Sequence, residues 1–154
     1  MCGPSCRPTR KPRQRLEDIG HGIKGGKIMQ TILIVEDDEH LRSTLKLILI
    51  HSGYAVLEAV NGEGVAAIYE QQHPDLVITD LLMPDKDGLE VIKDLRRLDR
   101  SARIIAMAGG AKKRGDTYLL LAQKFGASRT LVKPFTPDEL LEAVRLELET
   151  LPLV

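Results

Sequence analysis

Three apolar runs in this chain end in charge. Thr31-Ile32-Leu33-Ile34-Val35 leads into Glu36-Asp37-Asp38, Leu76-Val77-Ile78-Thr79 into Asp80, and Thr130-Leu131-Val132 into Lys133-Pro134. If all three are parallel strands, their ends share the carboxyl edge of one sheet, where open α/β sheets bind ligands. Carboxylates gathered there repel one another unless a cation lies between them. Oxygen-only donors of this kind suit a hard ion such as magnesium.

The elements that would place these residues are legible along the chain. Glu39–Ile50 reads as a helix with Leu41, Leu45, Ile48 and Leu49 on one face, closed by His51-Ser52-Gly53. Tyr54–Glu58 is a short strand whose polar pattern suits a sheet edge. Residues 63–72 form a helix around Val65, Ala66 and Tyr69, and His73-Pro74-Asp75 delivers the chain into Leu76–Thr79. A loop follows Asp80, punctuated by Pro84 and Gly88. Then come a helix over Leu89–Leu98 (Leu89, Ile92 and Leu95 inward), a strand over Ile104–Met107, and a loop through Asp116. A helix over Tyr118–Phe125 and a strand over Arg129–Val132 complete the alternation. Thr136-Pro137-Asp138-Glu139 supplies a cap, a proline at the first helical position and a glutamate at the third. The helix it starts carries Leu140, Val144 and Leu148 on one stripe. Alternating strands and helices argue an α/β fold, a doubly wound parallel sheet with helices on both faces. Right-handed crossovers then bring every strand's carboxyl end to the same side.

Composition narrows the function. The chain has 154 residues, enough for one core between two helical layers, and with two Phe, three Tyr and no Trp that core is aliphatic. A formal charge of zero hides a division: residues 1–28 carry seven Lys or Arg against Glu17 and Asp18, and the remainder is net −5. Nothing in the body supplies a basic face for nucleic acid. Residues 1–28 read as a flexible basic leader, either native or the product of a start assigned upstream of Met29, and 29–154 as the folded domain. Cys2, Cys6 and His21 are too loosely spaced for a metal site. The absence of cysteine from the body fits a reducing, cytoplasmic setting, and no run is apolar enough to span a membrane.

At this point the residues resemble a family. Ile32–Asp38, Pro74–Asp80, Met83-Pro84 with Gly88, and Lys133-Pro134-Phe135, in this order and spacing, are similar to the receiver domain of two-component response regulators. The resemblance covers about residues 30–150 and is to a stand-alone, CheY-like receiver. It implies a five-stranded flavodoxin-like sheet of order 2-1-3-4-5. It implies Asp80 as phosphoacceptor and Lys133 as the lysine that pairs with it and then with phosphoryl oxygens. It implies Mg2+ held by Asp37, Asp80 and the backbone carbonyl of Leu82, with Glu36 acting mainly through water. Pro134 would fix the turn after Lys133, through a cis bond in many members, and Gly88 is structural. The implied partners are a histidine kinase or histidine phosphotransfer protein and an unknown downstream protein. A homodimer through the face of the fourth helix, fifth strand and fifth helix is also compatible with it. Such a protein assists its own phosphorylation and dephosphorylation without being a conventional enzyme.

The chemistry agrees with these roles. A carboxylate is a weak nucleophile and must meet a phosphoryl group that is itself negative. A divalent cation offsets that repulsion, and a lysine opposite it adds a point charge where transferring charge is spread. The peptide N–H groups after Asp80 and Ala108 could add donors.

The sequence departs from the family at two positions. Ala108 stands where a Ser or Thr hydroxyl would meet a phosphoryl oxygen, and alanine has no such donor. Thr130 stands where an aromatic ring or His is usual. A switch needs a contact that differs between two states, so coupling of phosphorylation to the output face should be weakened or rewired. Leu82 and Gly110 cannot orient an attacking water through their side chains, so self-dephosphorylation should be slow. The alternative reading is a pseudo-receiver, a binding module that works without phosphate. A phosphatase of the haloacid dehalogenase type needs a second Asp where Leu82 stands, and a dinucleotide fold needs a Gly-rich turn where Glu36-Asp37-Asp38 stands.

Overall fold

The computed structural model describes residues 23–24, 27–83, 86–109 and 112–149. Five strands form one parallel sheet: β1 Thr31–Val35, β2 Ala55–Ala59, β3 Leu76–Asp80, β4 Ile104–Ala108 and β5 Arg129–Val132. Their spatial order is β2-β1-β3-β4-β5, the 2-1-3-4-5 order expected from the resemblance. The helices are α1 Glu39–His51, α2 Val65–Gln72, α3 Gly88–Leu98, α4 Lys112–Phe125 and α5 Pro137–Glu149. Ahead of the sheet, Ile23–Lys24 pairs antiparallel with Lys27–Ile28. The rest of the leader, including Cys2, Cys6 and His21, lies outside the described residues, as do Pro84, Asp85, Gly110 and Ala111.

Strand alternation divides the core in two. Leu33, Val35, Val77, Ile104 and Ala106 face α2, α3 and α4, where they meet Val65, Tyr69, Ile92, Leu95 and Ala122. Ile32, Ile34, Ile78, Ile105 and Met107 face α1 and α5, where they meet Leu45, Leu49, Leu140, Val144 and Leu148. The three central strands are buried throughout because both faces are covered, which is why they are almost wholly apolar runs. The edges β2 and β5 are only partly buried, as the polar pattern at Tyr54–Glu58 suggested.

Local signals set the ends. Asp38 is the N-cap of α1, its carboxylate accepting from the N–H groups of His40 and Leu41. The capping box at α5 is formed: Glu139 donates its N–H to the Thr136 hydroxyl at 3.1 Å, and its carboxylate accepts from Thr136 N–H at 2.7 Å. One boundary differs from the sequence reading. Helix α4 begins at Lys112, not near Tyr118. Its first turn is polar and contains Gly115, so no apolar stripe announces it.

Candidate functional site

The carboxyl ends of β1, β3, β4 and β5 converge on one open cavity of about 480 Å³, lined by Asp38, Leu41, Asp80, Leu82, Gly109, Lys133, Pro134 and Phe135. Asp80 is the last residue of β3 and is 5% exposed. Glu36 follows β1, with its N–H still donating to the Ala59 carbonyl, and is 1% exposed. Asp37, one residue on, is exposed. Carboxylate oxygens of Glu36, Asp37 and Asp80 lie within 4.8 Å of one another. Among the described residues this is the one grouping of His, Cys, Asp and Glu with metal-ligand spacing.

Lys133 enters from the far side of the sheet. Its N–H donates to the Ala108 carbonyl at 2.7 Å, which continues the β4–β5 ladder past Val132. Its ammonium lies 3.0 Å from Glu36 Oε2 and 3.3 Å from Asp80 Oδ2. The Lys133–Pro134 peptide is cis, as the resemblance had suggested. The site thus brings together the acidic pair, the strand-end aspartate and the lysine singled out in sequence.

Burial and mutual repulsion dominate the electrostatics. Glu36 is pushed up to about 7, first by burial and then by the neighbouring Asp80 charge, with Lys133 acting against both. Asp80 is also raised, chiefly by burial, while Lys133 and the Leu82 N–H pull it back. Two buried carboxylates sharing one ammonium are under-compensated, and an additional cation would relieve them. The donors are all oxygen, which fits magnesium.

Two tight approaches fix the loops. Gly88 opens α3 beneath Asp80, and a Cβ there would lie 2.2 Å from the Asp80 carbonyl oxygen. A Cβ on Gly109 would lie 2.6 Å from Lys133 Cβ. The backbone donor to the Asp80 carboxylate is the Leu82 N–H, at 3.4 Å from Oδ1; the Leu81 N–H is taken by the Met107 carbonyl at 2.9 Å. Leu82 itself is 41% exposed at the cavity's mouth.

The two atypical positions sit where sequence placed them. Ala108 ends β4 and is fully buried. Thr130 is half-buried in β5, opposite Ala106.

Sequence reasoning overlooked Arg42. Its guanidinium donates to the backbone carbonyl of Glu36 at 2.9 Å. The available signal was position: Arg42 lies one helical turn after Asp38, on the helix that the acidic loop starts. Also overlooked were Asp75, whose buried carboxylate accepts from Thr31 N–H at 2.8 Å, and the buried Glu147, 3.0 Å from Arg129 Nε.

A parallel sheet of order 2-1-3-4-5 with acid, acid and base at its carboxyl edge is the arrangement that the resemblance to receiver domains implied. The family model described as the response regulator receiver domain matches residues 32–145, and the chain belongs to that family. It is 37% identical over 114 residues to the chemotaxis protein CheY of Bacillus subtilis (strain 168), covering 73% of this chain and 92% of that one. It is 32% identical over 117 residues to the sporulation initiation phosphotransferase F of the same organism, covering 75% and 91%. The crystal structure of a putative response regulator from Chloroflexus aurantiacus J-10-fl superposes with a TM-score of 0.72 at 31% identity, covering 79% of this chain and 99% of that one.

Proposed function

We infer that this receiver takes a phosphoryl group from a phosphohistidine, on a histidine kinase or histidine phosphotransfer protein, onto Asp80. The observation that carries this reading is the convergence of the Glu36, Asp37 and Asp80 carboxylates, with the Lys133 ammonium against Glu36 and Asp80. Asp80 is the acceptor because, of the three carboxylates, it is the one that lines the cavity, with Lys133 beside it. Asp37 and Asp80 hold Mg2+, with the Leu82 carbonyl as a further ligand. Glu36 acts mainly through water, since its two oxygens are already engaged by the Asp38 N–H and Lys133. When bound, the ion offsets the repulsion between the acceptor carboxylate and the incoming phosphoryl oxygens.

The chain's own residues do the rest. The Leu82 N–H steadies the acceptor carboxylate. Lys133, freed from part of its carboxylate pairing as Asp80 loses its charge, turns its ammonium to the transferred group. Leu82 offers no side-chain hydrogen bond to an attacking water, which favours a long-lived phosphoaspartate. The downstream partner binds on the face of α4, β5 and α5, where Leu120 and Val132 are exposed and which a homodimer would also use. No helix among the described residues is long and apolar enough to cross a membrane, and the setting proposed is cytoplasmic.

The second reading, a phosphate-independent pseudo-receiver, is favoured by Ala108 and Thr130. One experiment separates them: intact-protein mass after incubation with a small-molecule phosphodonor, with and without Mg2+, beside Asp80→Asn. A Mg2+-dependent phosphoryl adduct absent from the variant is expected. No adduct in a protein that binds Mg2+ would favour the pseudo-receiver.

A further inference from the structure

Strand β1 ends at Val35, yet the peptide that follows must hold a fixed direction, because it aims Glu36 and Asp37 from consecutive residues. The Glu36 N–H is held by the Ala59 carbonyl at 3.1 Å. The Glu36 carbonyl is met by the Arg42 guanidinium, Nη1 to O at 2.9 Å. Arg42 is in turn gripped from β2, where Glu58 Oε1 lies 3.4 Å from its Nε. The other oxygen of Glu58 takes Lys46 at 3.0 Å. The Arg42 side chain is only 13% exposed, so it is packed as well as hydrogen-bonded.

We propose that Arg42, held by Glu58, is a positioning residue for the metal's acidic pair: it fixes the peptide between Glu36 and Asp37 and so the direction of the Asp37 carboxylate. This rests on the reading of Glu36 and Asp37 as that pair. The physical reason is orientation. A peptide carbonyl bound to a charged donor gives up its freedom to rotate, and Asp37, being exposed, has little packing to fix it otherwise. Glu58 also keeps the guanidinium turned to the carbonyl and away from the carboxylates. The cation therefore supports the loop without competing for the metal position, a task distinct from that of Lys133. Removing a group that orients a metal ligand from behind typically costs about 10–100-fold in metal affinity.

The test is Mg2+ affinity of the full chain by titration calorimetry, with the thermal midpoint and the amide shifts of Asp37 and Asp38 recorded in the absence of metal. Arg42→Met keeps the aliphatic stem and removes the guanidinium. It is expected to weaken Mg2+ binding by about tenfold or more and to move those two amides, with Arg42→Lys recovering part of the affinity. Glu58→Gln, which retains the Arg42 guanidinium and removes the charge that holds it, is expected to weaken binding in the same direction by less. An affinity for Arg42→Met within about twofold of the parent would overturn the proposal. If that variant does not fold, unchanged affinity in Glu58→Gln overturns it instead. Asp37→Asn separates the two levels. Loss of binding there with none in Arg42→Met sinks the positioning role alone, whereas a parent protein that binds no Mg2+ sinks the underlying reading with it.

Discussion

Ala108 shows how much a single missing oxygen can decide. It is fully buried in the core layer, its carbonyl taken by the Lys133 N–H, at the position where the resemblance implies a hydroxyl. Ala108→Ser is therefore expected to lengthen the reach of phosphorylation into β5. Measured by amide shifts on addition of a phosphoryl analogue, the Thr130 resonance should move more in the variant than in the parent. Equal movement would show that the hydroxyl is not what the parent lacks. Leu82 works on the opposite step. The phosphorylated parent should decay slowly, and Leu82→Asn, which adds a group able to hold water, should speed decay by about tenfold, near 1.4 kcal/mol in barrier. Radiolabel loss over time reads this directly. Gly88 is a packing constraint. A Cβ at 2.2 Å from the Asp80 carbonyl cannot be absorbed by a side-chain movement. Gly88→Ala should cost about 3 kcal/mol or more, seen as a lowered urea midpoint.

At the scale of elements, the sequence was most informative where burial is two-sided. The runs of β1, β3 and β4 are almost wholly apolar because helices cover both faces, and the charges that end β1, β3 and β5 fall at the carboxyl edge because the crossovers allow no other side. The cap of α5 was legible from Thr136 and Glu139 because both hydrogen bonds are local. The start of α4 was not, since its first turn, Lys112-Lys113-Arg114-Gly115, contains no apolar residue to begin a stripe. The pairings of Asp75 with Thr31 and Glu147 with Arg129 were equally silent. Each joins elements that only the finished fold brings together. The same logic bears on coupling. With Ala108 and Thr130 at the positions that the resemblance assigns to a switch, we propose that the contact tying the site to the α4–β5–α5 face is reduced.

Over the whole molecule, the site is a concentration of buried negative charge in an acidic body, and stability should report it. The Glu36 pKa in the fold, about 7, lies above its ordinary value of 4.5. The fold thus favours the protonated form. The stability this gives is fully present below pH 4.5 and is lost as pH rises through about 7. The metal-free protein is expected to be more stable at pH 5.5 than at pH 7.5, by on the order of 2 kcal/mol from this group. Glu36→Gln should flatten the slope, and Mg2+ should add more stability at the higher pH. Thermal midpoints in chelator and in Mg2+ test this, and a metal-free midpoint that climbs across the interval and is unaffected by Glu36→Gln would contradict it. The central claim remains that Asp80 is the acceptor. The most direct measurement is to phosphorylate the protein from a phosphohistidine donor, trap the acyl phosphate by borohydride reduction, and locate the reduced residue by peptide mass spectrometry. Reduction confined to position 80 is the predicted result, and reduction at another carboxylate, or none after demonstrated transfer, would contradict it.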